Sequence, residues 1–388
     1  MRACALFAAI AVFAPGACHG ATFVVRPDGA GDLPTIQQAI TASANGDTVL
    51  LTDGVFVGGG NRDIDFQGKA ITVGSQGGDP LSCIINCQGS EADPHRGFLF
   101  HLGEGELSRL EGVTVTGGRA QQEVNGADGG AVACRNGSSP TIVSCIFQSS
   151  SSGGPPGGGA GGGVCCGDGT APYFLECVFA SNHAYHGGGL RCEISSSVTC
   201  VGCVFLENQA ALGAGVMASA SYLTLEACTF SGNESPWDGG AVCAEGGSLT
   251  MTGCTVFAND SLSGAAILLW SVPTAVIENT LIAFDESGAA VHCEGAPPLL
   301  SCSDLYGNPG GDWTGPIADQ LGVRGNVSED PLFCSAAPHE DRDWTIRSDS
   351  PCAPDQSECG LIGAWGVGCE VTPVRPVTWG GIKARFGE

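Results

Sequence analysis

Cys177-Val-Phe-Ala-Ser-Asn182, Cys203-Val-Phe-Leu-Glu-Asn208 and Cys228-Thr-Phe-Ser-Gly-Asn233 are one phrase written three times. The phrase reaches back to Cys145-Ile-Phe and forward to Cys254-Thr-Val-Phe-Ala-Asn259. It continues in weaker form as Asn279-Thr-Leu-Ile and Cys302-Ser-Asp-Leu. Successive anchors lie 32, 26, 25, 26, 25 and 23 residues apart, and a Gly/Pro-rich insertion over 149–163 accounts for the long first interval. A second motif keeps the same period half a repeat away: Gly129-Gly-Ala-Val, Gly161-Gly-Gly-Val, Gly187-Gly-Gly-Leu, Gly213-Ala-Gly-Val, Gly239-Gly-Ala-Val, Gly264-Ala-Ala-Ile and Gly288-Ala-Ala-Val. Two independent motifs on one period are the signature of a repeat architecture in which each unit buries its apolar face against the next.

A period near 25 fits one turn of a parallel β-helix with three short strands and three bends per coil. Side chains alternate faces along a strand, so equivalent positions pile into rows about 4.8 Å apart inside the tube. The expected fold is all-β: a single-stranded, right-handed parallel β-helix solenoid, its hand set by the handedness of parallel crossovers. Phe179, Phe205 and Phe230 should form an apolar stack. Asn182, Asn208, Asn233 and Asn259 should form an amide ladder, and Cys177, Cys203, Cys228 and Cys254 a row of small buried hydrophobes. The paired glycines permit positive φ at the bends. Cys200 and Cys203, three apart on a strand, are expected to face opposite sides and so neither chelate nor pair; Cys165 and Cys166 fail for a related reason.

The ends are consistent with a solenoid. Pro34 to Ala44 carries Ile36, Ala39 and Ile40 at helical spacing, which predicts a short amphipathic helix covering the open N-terminal end. Asp330 to Cys369 is richer in proline and holds Cys334, Cys352, Cys359 and Cys369, a C-terminal cap with candidate disulfides. Ahead of the solenoid, Arg2 and the apolar run Ala5 to Ala14, broken by Pro15 and Gly16, read as an export signal cleaved after Gly20 or Ala21. A lipidated Cys18 is the competing reading, although the residue three places earlier, Pro15, is not the large apolar one expected there. The expected organisation is a signal over 1–20, the helix with its N-terminal cap over 21–329, the C-terminal cap over 330–369 and a tail over 370–388 that either anchors the chain or is an ordinary terminus. The expected location is therefore secreted or at the cell surface.

Composition narrows the partners. Only 14% of residues are charged, Lys69 and Lys383 are the two lysines, and the formal net charge is −25. Nucleic acid is excluded as a partner on this ground, because phosphate binding needs clustered cations. Setting aside Cys4 and Cys18, 19 of the 21 cysteines remain, an odd number that leaves at least one thiol unpaired within the chain. The oligomeric state is open.

The GGA[ILV] and FxxN pair, present as Gly129 to Val132, Gly239 to Val242, Phe179 to Asn182, Phe205 to Asn208 and Phe230 to Asn233, resembles the repeats of the chlamydial polymorphic outer-membrane proteins. More widely the chain resembles the pectin-lyase-like right-handed β-helix superfamily, whose N-terminal cap and first coil are similar to Thr35-Ile-Gln-Gln-Ala-Ile, Gly46-Asp-Thr-Val-Leu-Leu and Gly54-Val-Phe. The resemblance covers nearly the whole chain after residue 20, but its motifs specify coils, and the superfamily mixes lyases, hydrolases, epimerases and adhesins. No C-terminal membrane-barrel pattern accompanies it, so an autotransporter route does not carry over.

A uronate lyase needs a base and cations near the substrate carboxylate. Arg191 is the one Lys or Arg between Asn136 and Val323, so that chemistry is poorly supplied in the repeat body. A hydrolase needs two suitably spaced carboxyls. The best-placed residues precede the glycine motif: His186, Asp238 and, earlier, Asp128 as catalytic candidates, with Tyr185 and Trp237 as sugar-stacking candidates. If register holds, His186 and Asp238 should occupy equivalent bends two coils apart, about 9–10 Å from each other. The competing reading is that Asp and His simply favour bends. The acid clusters of the polygalacturonase branch are absent. Calcium is the one cofactor with some basis, from loop oxygens at Asp28, Asp32, Asp63, Asp65, Asn125 and Asp128, none of which forms a defined calcium loop. The favoured function is non-enzymatic adhesion to, or contact with, polysaccharide, cell-surface glycan or protein; the alternative is a polysaccharide hydrolase or lyase in a lateral groove.

Overall fold

The computed structural model describes residues 20–120, 129–153, 159–167, 169–261 and 265–370. The chain winds as a parallel solenoid. The strands of its coils form parallel columns of 11, 10, 9 and 6 strands, with partners one coil apart in sequence, and a separate two-stranded pair joins Ile346–Arg347 to Val367–Cys369. The register is strict where the repeat is strict: Thr199, Thr224 and Thr250 follow one another along one column, Phe179, Phe205 and Phe230 along a second, and Leu190, Val216 and Val242 along a third. Each coil of the central region carries a fourth short strand, such as His183–His186 and Gln209–Leu212, where three were expected. These strands run as short as two residues, Arg119–Ala120 being one, too brief to leave a periodic signature in sequence.

Inside the tube the rows are filled as apolar burial requires. Phe147, Phe179, Phe205 and Phe230 have no exposed surface. Phe179 lies 4.6 Å from Phe205 at 6° between planes, and Phe205 lies 4.7 Å from Phe230 at 2°. The asparagine row closes a complete hydrogen-bond account. The side-chain amide of Asn208 donates to Asn233 Oδ1 at 2.9 Å and to the Phe179 carbonyl at 2.8 Å. Its own Oδ1 accepts from the backbone and side chain of Asn182 at 3.1 and 3.0 Å. Every polar atom of a buried amide is thereby used, which is the condition for burying it at all.

Three details depart from the sequence reading. A strand, Thr22–Val25, precedes the capping helix Ile36–Ala42 and pairs with Thr48–Leu51, so the first coil starts before the helix. The cysteine anchor slips by one residue in the last coils: Asn279 and Cys302 sit at bends with positive φ, and Thr280 and Ser303 take the buried slot. The slot needs a small side chain that donates to a carbonyl, which hydroxyls also do (Thr280 Oγ1 to the Glu278 carbonyl, Ser303 Oγ to that of Ser301). Lastly, closure of the C-terminal end begins before residue 330. Ile317, on the 3₁₀ turn Gly315–Gln320, is buried in the main core, and Gln320 Oε1 accepts from the Leu300 backbone.

Residues beyond 330 fold back along the outside of the 10-stranded column. Trp365 Nε1 donates to Thr229 Oγ1 at 2.7 Å, the Ala364 amide donates to Thr255 Oγ1, and Trp344 buries itself against Leu206 and Phe257. Two disulfides hold this strap. Cys334–Cys369 closes it internally, and Cys302–Cys359 ties it to the last coils, with Cα separations of 5.9 and 5.6 Å. Cys352, read as a disulfide partner, is instead a buried thiol 3.2 Å from Asp304 Oδ2.

Candidate functional site

The glycine motif builds a lateral step. At Gly187, Gly213 and Gly239 φ is +66°, +60° and +68°, and a Cβ there would lie 3.0 Å from the Arg191 Cα, 2.8 Å from the Met217 Cβ and 2.7 Å from the Cys243 Cβ. Only glycine satisfies both the left-handed bend and the close approach. The fourth short strand is thereby folded over the outer face of the following strand. Outer-row residues Met217, Cys243 and Leu268 are buried there, with Leu212 packed on them.

Two rows run side by side along this step. The first is Ala160, His186, Leu212 and Asp238, joined by successive parallel bridges. His186 and Asp238 therefore occupy the same position two coils apart. The second is Cys165, Arg191, Met217, Cys243, Leu268 and His292, flanked further along the strand by Ser219, Glu245, Trp270 and Glu294. Over the first row stand two exposed rings: Tyr185, 38% exposed, and Trp237, 48% exposed, meet edge to face at 5.4 Å across the intervening coil. Trp270, 49% exposed, adds a third ring on the same side. Sequence reading missed it because Ala265–Trp270 is a nearly continuous apolar strand, and only its register shows that Trp270 points outward.

The electrostatics of the step follow from partial burial. Desolvation raises the Asp238 carboxyl above its ordinary range, with the His292 charge opposing and Glu294 assisting. Desolvation lowers the His186 imidazole, helped by Arg191 and opposed by Glu245. Both groups are thus pushed toward their neutral forms. Arg191 contributes the cation, and its Nε and Nη1 are buried without a hydrogen-bond partner among the described residues.

Of the sequence-predicted residues, His186, Asp238, Tyr185 and Trp237 are brought onto one face; Asp128 lies outside the described residues, as does Asn125. The proposed calcium ligands are occupied otherwise. Asp28 Oδ1 and Asp32 Oδ2 accept backbone amides, Asp63 meets His95 and the Arg96 amide, and Asp65 meets His101 and the Gln67 amide. Among the described residues no group of three or more His, Cys, Asp or Glu converges as a metal would require. Cys200 and Cys203 do not face opposite sides as expected. Gly202, at φ +62°, turns the chain between them, and both thiols point into the core in mutual contact.

A serine–histidine–carboxylate line also forms under the strap: Ser231 Oγ lies 2.9 Å from His339 Nδ1, and His339 Nε2 lies 3.8 Å from Glu207 Oε1. Ser231 has no exposed surface, so no substrate bond can reach it. The contact pins the strap to the solenoid.

Two solved structures are among those similar to this chain. The pectate lyase Pel9A is similar at 16% identity and a TM-score of 0.33, over 74% of this chain and 63% of that one. This chain thus spans under two thirds of that lyase's length. A mannuronic acid specific polysaccharide family 6 lyase from human gut microbiota is similar at 14% identity and a TM-score of 0.33, over 82% of this chain and 89% of that one. No curated protein matches the sequence. The family model of the right-handed β-helix region matches residues 53–282, and the chain belongs to that family.

Proposed function

We propose that this protein is an exported β-helix that binds polysaccharide or cell-surface glycan along the step between the fourth short strands and the nine-stranded column. The observation that carries the reading is the pair of exposed rings, Tyr185 and Trp237, in contact two coils apart beside half-buried His186 and Asp238. Exposed aromatic faces flanked by a few fixed polar groups are what sugar rings stack on, and a solenoid repeats such a surface along its length. Arg191, in the outer row beside His186, would take an anionic substituent of the glycan. The role is binding and adhesion, not turnover.

The enzymatic reading draws on one observation. Burial drives Asp238 and His186 in opposite directions from their ordinary ranges, a pattern that can assign an acid and a base. A glycan array run beside a uronate- and sugar-release assay on a polysaccharide panel separates the two. Binding without turnover, lost in Trp237→Ala, supports adhesion. Turnover lost in Asp238→Asn overturns it in favour of a hydrolase or lyase. Absence of both on the whole panel removes the glycan reading.

A further inference from the structure

The strap lies on the 10-stranded column and the fourth strands fold over the nine-stranded one, whereas among the described residues no other element packs on the outer face of the 11-stranded column. Its strands alternate cleanly. Val198, Cys200, Leu223, Leu225, Leu249 and Met251 are buried, so the residues between them face out. In register they build one outward row of Ser197, Tyr222, Ser248 and Thr274. The row beside it is Thr141, Tyr173, Thr199, Thr224 and Thr250. Every side chain in both carries a hydroxyl and none a charge, in a chain whose residues 192–323 hold 14 Asp and Glu and no Lys or Arg. Charge returns at the borders: Glu226 and Glu278 in the next row, Glu245 and Glu294 across the bend, and the Arg109–Glu111 ion pair at the upstream end. Two rings stand on this face, Tyr173 at 38% exposed and Tyr222 at 58%. They lie two coils apart and one outward position across, about 12 Å by strand geometry.

We propose that the outer face of the 11-stranded column is a second glycan site, one that takes an uncharged, extended β-linked polysaccharide with Tyr173 and Tyr222 stacking on sugars two residues apart. The apolar face of a pyranose stacks on a phenol ring, and its hydroxyls pair with serine and threonine hydroxyls, each of which both donates and accepts. The repeat of the face suits a polymer. An extended β-linked chain turns each sugar over relative to the last, so the same sugar face recurs at every second residue, as the two rings recur at every second coil. The absence of charge selects against uronates: no cation faces the ligand, and the bordering glutamates repel a carboxylate. The step offers Arg191 to an anionic glycan; this face takes the opposite class. Binding here does not require the step, since the two surfaces share no residue.

The test is calorimetric titration of the folded full-length protein with glucomannan, an uncharged β-linked chain, and with polygalacturonate as the charged one. Glucomannan should bind with an affinity that added salt leaves unchanged, because no charge faces it. Tyr222→Ala should weaken that binding roughly tenfold, and Thr224→Val, which keeps the shape and removes the hydroxyl, several-fold. Hydroxyl-radical footprinting of the unmutated protein gives a second measure that relies on no variant. Bound glucomannan should protect Tyr173 and Tyr222 and leave Tyr306 as reactive as before, and polygalacturonate should protect neither of the first two. No binding of glucomannan, or binding lost in Trp237→Ala and kept in Tyr222→Ala, overturns the proposal. So does a concentration-dependent dimer that Tyr222→Ala dissolves, since the face then belongs to a second copy.

Discussion

Asn208 shows how one residue type can serve the fold at a single position in every coil. Its amide satisfies two acceptors and its oxygen two donors, all buried. Asn208→Ala strands the donors of Asn182, and each unpaired buried group costs about 1–3 kcal/mol. Denaturant unfolding should therefore report a loss of roughly 3 kcal/mol. An Asn208→Asp variant should lose less at acid pH than at neutral pH, because a protonated acid restores one donor. Nature has placed that acid one rung beyond Asn259. Asp285 Oδ1 accepts from Asn259, while its Oδ2 is buried without a partner among the described residues, at the place where neighbouring rungs present an amide donor. Burial raises its carboxyl from 3.8 to about 7. Between these values the folded state holds a proton that the unfolded chain has released, so stability falls as pH rises through the window. Asp304, raised to about 6 by burial, adds to the same slope. Thermal melts from pH 4 to 8 should therefore show a declining midpoint, with a shallower decline in Asp285→Asn. An unchanged slope in that variant would exclude Asp285 as its source. The asparagine rungs were legible in sequence because each recurred at the period; the acid rung was not, because Asp285 was not recognised as a substitute for asparagine.

At the scale of elements, legibility followed chemistry repeated in kind. The Cys-x-Phe and paired-glycine strands announced themselves. The cysteine anchor failed at Thr280 and Ser303 because the slot selects size and a donor, not sulfur. The strap over 330–369 was legible as a cysteine-bearing cap but not as a lateral one, since nothing local in it says which surface it covers. Its attachment is testable. Cys302→Ser/Cys359→Ser together should lower the melting temperature by several degrees, since closing a loop of this length stabilises by about 2–4 kcal/mol. Trp365→Ala should weaken the same attachment by a smaller amount, through loss of the Thr229 hydrogen bond and the Trp344 ring contact at 5.8 Å. Limited proteolysis that first releases the 330–369 region in both variants would confirm the order; simultaneous loss of the coils would not fit.

For the whole molecule, the step is the feature that fold and function share. The glycines that fold the short strand over its neighbour also bring His186, Arg191 and Asp238 to one edge, though they are scattered in sequence. The candidate residues were readable because they abut the glycine motif; Trp270 and Arg191 joined them only once register was fixed. Glycan affinity, measured by isothermal titration calorimetry, should fall roughly tenfold or more in Trp237→Ala, as loss of an aromatic contact of about 1.5 kcal/mol implies. Arg191→Gln should weaken an anionic glycan and leave a neutral one nearly unchanged.

The backward fold of the strap makes the rod mechanically lopsided. Held by its two ends and stretched, the molecule should peel from the side of Thr22–Val25, where each turn is gripped by its neighbours and the capping helix. The far turns, stitched by Cys302–Cys359 and clamped at Thr229 and Thr255, should yield last and withhold part of their length until reductant is added.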